Sequence, residues 1–174
     1  MIVDNLNNLP DDINVVIAGS GPAGVSLALD LEKKGIKSII LETGDKLYTE
    51  KAQERYVGTV NGNFPNDLSL LRLSQFGGTT GHWGGTCRPL DEYDFTSWPI
   101  SKKDLIKYQS DACNFLKISN QFRELEIDEN LKIIEFQESE VMVFDAYFEQ
   151  IKNSKDIYLS LNTSLFNINI ENQK

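Results

Sequence analysis

The sequence is poor in the residues that most often carry catalysis, metal binding or covalent cross-links. Its 174 residues include one histidine, His82, and two cysteines, Cys87 and Cys113. The cysteines are far apart and form no C-x-x-C pair, which argues against a dithiol reductase and favours two reduced thiols over a disulfide or redox pair. We therefore expect a reducing, cytoplasmic setting, and we also predict no metal site.

Basic charge and long apolar runs are scarce as well. Lys and Arg number 17 against 26 Asp and Glu, which gives a formal net charge of −9. An acidic chain is a poor partner for nucleic acid or an anionic membrane, so neither is expected. No apolar run is long enough to cross a bilayer, and the polar N-terminus lacks the basic and apolar regions of a signal peptide. The length suits one ordinary domain with its own core.

The most informative segment is residues 13–24, INVVIAGSGPAG, in which an apolar run leads directly into G-x-G-x-x-G. A second apolar run then ends on Glu42. Gly19 permits the tight strand-to-helix turn, Gly21 lets the backbone approach a pyrophosphate, and Gly24 lets the helix pack closely on the strand. The pyrophosphate would lie on open N–H groups at the helix N-terminus, and the acid would hold the ribose hydroxyls. Together these features predict a bound dinucleotide.

The same segment predicts the fold class: α/β, a Rossmann-like FAD/NAD(P)-binding domain built on a βαβ unit with a parallel sheet. The fold is expected to be incomplete, with inserted helical and β segments. The predicted unit consists of strand Ile13–Ala18, a helix from about Pro22 to Lys34, and strand Ser38–Glu42. The buried stripe of the helix is predicted to be Val25, Leu27, Ala28, Leu29 and Leu31.

Weaker patterns follow along the chain. Turns are predicted at Asn61–Asn63 and Pro65–Asp67, helices near Lys46–Arg55, Lys102–Leu116 and Asp145–Lys152, strands of an exposed sheet within 122–143, and one or two strands over Ile157–Leu161 and Leu165–Ile170.

A second glycine-rich segment lies within residues 72–100 and reads GGTTGHWGG at 77–85. A backbone with five glycines, flanking hydroxyls and an aromatic pair can lie very close to a flat polar group. The alternative is a glycine-rich surface loop with Trp83 tucked into the core. Because the segment follows a complete dinucleotide fingerprint, we favour the first interpretation.

GSGPAG with Glu42, GGTTGHWGG, C-x-P-L-D-x-x-D-F and W-P-I-S-x-x-D-L together resemble the glucose–methanol–choline (GMC) family of flavin oxidoreductases. The chain looks most similar to the branch with gluconate and fructose dehydrogenase large subunits and pyranose oxidase, of which it covers the N-terminal third. The resemblance implies FAD as cofactor and an alcohol or sugar as substrate. An electron-acceptor subunit is a further partner that it implies.

The resemblance also assigns site residues. The implied cofactor-binding residues are Gly19, Ser20, Gly21, Pro22, Ala23 and Gly24 at the diphosphate, Glu42 at the adenosine ribose, Arg72, Gly78, Thr79 and Thr80 along the ribityl chain and diphosphate, His82, Trp83, Gly84 and Gly85 beside the isoalloxazine, and Leu165 at the adenine. In this family the chemistry is hydride transfer from a CH–OH group to flavin N5, with a late histidine as base. No histidine follows His82, so the base is expected beyond Lys174 and the chain alone is expected to be inactive.

His82 has three interpretations. In the pyranose oxidase branch, the histidine of a T-H-W motif bonds covalently to the flavin 8α-methyl group, but Gly81 replaces that threonine here. The alternatives are non-covalent packing at the flavin and an unrelated structural histidine.

The resemblance divides 1–174, as the N-terminal part of an FAD-binding domain, into four parts. These are the βαβ unit (1–58), a flavin-contacting glycine-rich segment (59–100), an inserted helix and small sheet (101–155) and a return strand to the FAD sheet (156–174), with the substrate domain absent. The leading function is an FAD-dependent alcohol or sugar dehydrogenase or oxidase, present as a fragment. The alternatives are a non-catalytic FAD-binding remnant, and a flavin monooxygenase or mutase on the same nucleotide fold.

Overall fold

The computed structural model describes residues 1–62 and 67–169. Two compact units make up the chain. The first unit is Met1–His82 with Met142–Lys174, and the second unit is Trp83–Val141. The predicted turn at Pro65–Asp67 lies largely outside the described residues, as does Ile170. Among the described residues, no helix has the length and hydropathy required to span a bilayer.

The described part of the chain contains seven strands and seven α-helices. The strands are β1 (Val15–Ala18), β2 (Ser38–Leu41), β3 (Thr86–Cys87), β4 (Glu124–Asp128), β5 (Leu131–Ile134), β6 (Gln137–Glu138) and β7 (Ile157–Ser160). The α-helices are α1 (Pro22–Lys33), α2 (Glu50–Gln53), α3 (Leu68–Leu71), α4 (Lys102–Ile106), α5 (Gln109–Leu116), α6 (Val143–Ala146) and α7 (Phe148–Asn153). Short 3₁₀ turns occur at Leu6–Asn8, Glu54–Tyr56, Gly78–Gly81 and Glu92–Phe95.

A three-stranded parallel sheet organises the first unit, with β2 between β1 and β7. In the register, Ile17 lies beside Ile40 and Ile40 beside Leu159. Apolar side chains at these positions are buried because α1 covers one face. The predicted Rossmann-like α/β class with a βαβ unit and a parallel sheet is thereby confirmed.

Helix α1 packs on this sheet along a narrow stripe. Val25, Ala28 and Leu29 are buried, whereas Leu27 is 48% exposed. The prediction that Leu27 belongs to the stripe was wrong, because positions separated by three and four residues share a helix face and a neighbour two positions away does not. Gly24 lets the start of α1 lie close to the turn that precedes it, since a Cβ there would lie 2.1 Å from the carbonyl oxygen of Gly19.

The second unit is built from two small antiparallel sheets and two helices. Strand β3 pairs with β6, and β4 pairs with β5 in a hairpin whose residues are almost all exposed. The exposed sheet predicted within 122–143 is confirmed. The predicted helix Lys102–Leu116 is two helices, α4 and α5, with a turn at Lys107 and Tyr108 between them.

Three other predicted elements also differ from the structure. The helix near Lys46–Arg55 is reduced to α2 and the adjoining 3₁₀ turn, and the helix Asp145–Lys152 is divided into α6 and α7. The strand predicted from Leu165 does not form over 165–169. Phe166 and Ile168 are 99% and 69% exposed, so this segment packs no apolar face against the rest of the described chain.

Candidate functional site

The turn between β1 and α1 leaves an open anion-binding cradle. Gly19 has φ +94°, a conformation that favours glycine, and its N–H donates to Leu41 O at 2.8 Å. No protein atom lies within 4 Å of a Cβ built on Gly21. The helical hydrogen bonding of α1 starts with Val25 N–H donating to Gly21 O at 3.0 Å. The N–H groups of the preceding first-turn residues, Ala23 and Gly24, therefore lack helical acceptors and can bind a phosphate.

Glu42 directly follows β2 and is held by three donors. Its Oε2 accepts from the backbone N–H of Ser20 at 2.9 Å and from the Ser20 hydroxyl at 2.6 Å, and its Oε1 accepts from Gly44 N–H at 2.8 Å. The residue is only 6% exposed. A carboxylate offers about four acceptor positions, so Oε1 retains one for a ribose hydroxyl.

The second glycine-rich segment lies directly against the first. Gly77 N–H donates to the backbone oxygen of Ser20 at 3.1 Å and to its hydroxyl oxygen at 3.2 Å. A Cβ on Gly78 would lie 3.5 Å from Gly21 Cα. The fully buried Ser20 hydroxyl therefore joins the two glycine motifs to Glu42, by accepting from Gly77 and donating to the carboxylate.

Residues behind the segment fix its path. Gly77 has φ +84°, and a Cβ there would lie 2.5 Å from Phe144 N. The buried Thr80 hydroxyl donates to Gly77 O at 2.7 Å and accepts from Val143 N–H at 3.3 Å. Thr80 thus stabilises the turn from inside, whereas Thr79 is half-buried beside it.

Gln53 holds the chain that leads into this segment. Its Nε2 donates to Ser69 O and to Arg72 O, each at 2.6 Å, and its Oε1 accepts from Ser74 N–H at 3.1 Å. Arg72 itself is exposed and takes part here through its carbonyl. The role of Gln53 could not be predicted from the sequence, because an isolated glutamine carries no signal of its distant partners.

The end of the GGTTGHWGG segment is divided between the units. His82 closes the first unit with an exposed side chain, and its N–H donates to Thr79 O at 3.1 Å. In the second unit, the Trp83 indole N–H donates to Val141 O at 3.1 Å, and Gly84 is exposed. Gly85 has φ +74°, and a Cβ there would lie 2.2 Å from Ser139 O.

Leu165 lies just after a turn that reaches the Glu42 region. Thr163 N–H donates to Glu42 O at 2.8 Å, and Asn162 N–H donates to Gly44 O at 2.9 Å. Leu165 is 46% exposed. Backbone hydrogen bonds therefore place this turn beside the acid that follows β2.

Comparison with known proteins identifies the nucleotide. Residues 12–60 match a family model described as an FAD binding domain. Over 54 residues, or 31% of this chain, the sequence is 37% identical to Monooxygenase 1 of Arabidopsis thaliana, and the match spans 13% of that protein's length. The structure of the L-amino acid deaminase from Proteus vulgaris is similar at 19% identity over 90% of this chain and 42% of that one, with a TM-score of 0.29, too low to support an inference.

FAD is the cofactor of this chain, as predicted. The open cradle at Gly21, the free first-turn N–H groups and the remaining acceptor position on Glu42 fit its diphosphate and ribose. The GMC assignment was wrong, because the matches are to a different FAD-binding family and to a monooxygenase. Packing explains two of the glycines that suggested it: an added Cβ would lie 2.5 Å from the backbone nitrogen of Phe144 at Gly77 and 2.2 Å from the backbone oxygen of Ser139 at Gly85.

Proposed function

We propose that this chain is the FAD-binding part of a flavin-dependent monooxygenase. The observation that carries the proposal is the 37% identity to Monooxygenase 1 over 54 residues, together with the FAD-binding match over residues 12–60. Such a flavin, once reduced, would supply the electrons with which one oxygen atom of dioxygen is added to an organic substrate and the other is released as water.

The described residues bind and orient the nucleotide end of that cofactor. First-turn N–H groups of α1 would hold the diphosphate, and Glu42 would accept a hydrogen bond from the ribose. The Ser20 hydroxyl holds Glu42 and Gly77 together through hydrogen bonds, so the Gly78–Thr79 turn runs along the same cradle. Arg72, His82 and Leu165 are further proposed cofactor contacts, while Trp83, Gly84 and Gly85 are proposed to continue the path of the segment.

The test is oxygen transfer by the FAD-loaded protein that contains this chain, because the FAD-binding part alone is not expected to turn over substrate. The reaction contains a reduced nicotinamide nucleotide, isotopically labelled dioxygen and a panel of phenols, and the products are examined by mass spectrometry. Incorporation of one labelled oxygen atom into a product supports the proposal. Stable FAD binding with neither nucleotide oxidation nor product would instead indicate a non-catalytic FAD-binding module.

A further inference from the structure

The second unit contains a partly open apolar cavity of about 290 Å³. Its wall comes from α4, α5 and the segments on either side, and it includes Phe95, Leu105, Leu116 and Phe122. Every residue that lines it belongs to Trp83–Val141, whereas the FAD cradle belongs to the first unit. The volume is at the lower end of the range for small-molecule sites, which is roughly 300–1,000 Å³, so a compact ligand fits.

Two thiols form part of the wall. Cys87 and Cys113 both line the cavity, both are buried and both are free. Burial raises the pKa of each thiol, which keeps both uncharged at neutral pH. They therefore present a neutral, weakly polar surface that does not repel an anion.

One cation lines the cavity without a carboxylate partner in ion-pair range. Lys102 is half-buried on α4, and the described residues give it no salt bridge. The other cation in the wall, Arg88, is already bonded to Asp91 and Glu124. Lys103 and Lys107 follow on the same segment, where the carboxylate of Asp104 is bonded to Ser101. Lys102 acts on Asp91 only through the longer-range charge interaction that helps to lower the pKa of that carboxyl, so its ammonium group is the one in the wall that a ligand carboxylate can pair with.

We propose that this cavity binds a small monocarboxylate with an apolar body, which inserts between the aromatic and aliphatic side chains while its carboxylate pairs with Lys102. Apolar burial supplies the affinity and the charge supplies the orientation, as in other small-molecule sites. The proposal does not rest on the proposed oxygen transfer.

The probe is octanoate, with octanol as an uncharged ligand of equal chain length. Trp98 reports binding, because its ring is 5.6 Å from that of Phe95 in the wall, and calorimetry provides a second measurement. Octanoate is expected to bind the full chain, and Lys102→Met to weaken it roughly two- to fivefold, the range for a partly exposed ion pair. Lys103→Met, on the same helix but outside the wall, is the matched control and should leave the affinity unchanged.

Two further measurements make the proposal falsifiable. Ala112 lines the cavity, so Ala112→Phe should abolish binding of both octanoate and octanol. Saturating octanoate should slow alkylation of Cys87 and Cys113 in the native protein. The proposal is overturned if octanoate binds no better than octanol, if Lys102→Met and Lys103→Met behave alike, or if the thiols react at the same rate with and without octanoate.

Discussion

The Ser20 hydroxyl donates to Glu42 Oε2 at 2.6 Å and accepts from Gly77 N–H at 3.2 Å. One buried side chain thus couples the acid after β2 to both glycine motifs. Ser20→Ala keeps the backbone N–H donors of Ser20 and Gly44 on Glu42 but removes the hydroxyl that joins the carboxylate to Gly77, and it should therefore weaken FAD binding. The loss of buried hydrogen bonds is expected to lower the free energy of unfolding by about 1–3 kcal/mol.

The matched control for this prediction is Ser26→Ala. Ser26 lies on α1 and donates only to Ala23 O at 3.0 Å, so its replacement should change stability little. FAD affinity is measured from the quenching of flavin fluorescence, and unfolding from far-UV circular dichroism. Equal FAD affinities for Ser20→Ala and wild type would show that the serine plays no part in positioning the site.

A methyl group added at Gly24 is expected to lower stability, whereas one added at Gly21 is expected to block FAD binding. A Cβ on Gly24 would lie 2.1 Å from Gly19 O, whereas a Cβ on Gly21 meets no protein atom within 4 Å. Gly24→Ala should therefore destabilise the fold by about 1–3 kcal/mol or more. Gly21→Ala should keep the stability within about 0.5 kcal/mol of wild type and lose FAD binding. Equal stability of the two variants would contradict this assignment.

Gln53 should be essential for the path of residues 69–74. Gln53→Leu keeps the volume but leaves two carbonyls and one N–H without their partner, so we expect a loss of about 2–4 kcal/mol. Gln150→Leu, at an exposed position of α7, is the matched control and should stay within about 0.5 kcal/mol. Thermal unfolding followed by circular dichroism compares the two; similar melting temperatures would refute the role of Gln53.

The βαβ unit and the residues around its turn could be predicted from the sequence, because their geometry depends on residues that are close together in the chain. The positions of Gly19, Gly24 and Glu42 follow from the geometry of one strand–turn–helix–strand unit, so their spacing alone predicts where they lie. Gln53 could not be found in this way, since its acceptors are at Ser69 and Arg72 and only the folded chain brings them together.

The GMC assignment that GGTTGHWGG suggested was wrong for a related physical reason. A run of glycines indicates close backbone approach but does not say what approaches. Here the close neighbours are Phe144 for Gly77, Gln75 for Gly81 and Ser139 for Gly85, all of them protein. Gly78 instead lies beside the cradle, where an added Cβ would meet Gly21 Cα at 3.5 Å, and an added Cβ on Gly84 meets no protein atom within 4 Å.

The Arg88–Asp91 pair should make the second unit sensitive to acid. Arg88 donates to Asp91 through both terminal nitrogens, at 2.5 and 3.1 Å, and this bonding lowers the pKa of Asp91. A carboxyl whose pKa is lowered in the folded state stabilises the fold above its unfolded pKa, about 3.9. That contribution is lost as the pH falls through the lower folded value.

Asp91→Asn should consequently flatten the decline in stability below about pH 4. Trp83 and Trp98 both lie in the second unit, so tryptophan fluorescence during urea unfolding reports this unit. The control is Asp111→Asn, at an exposed position of α5 where the described residues supply no ion pair. An unchanged acid profile for Asp91→Asn, with a changed one for Asp111→Asn, would contradict the role of the pair.

The flavin is expected to be bound without a covalent link to His82. The covalent option came from the GMC resemblance, which was wrong, and the imidazole is exposed at the end of the first unit. Acid precipitation should therefore release all the FAD from wild type and from His82→Ala into the supernatant, where its absorbance is measured. Gly21→Ala, which should hold no FAD before precipitation, is the negative control. Flavin fluorescence retained on precipitated wild-type protein, and lost in His82→Ala, would establish the covalent bond instead.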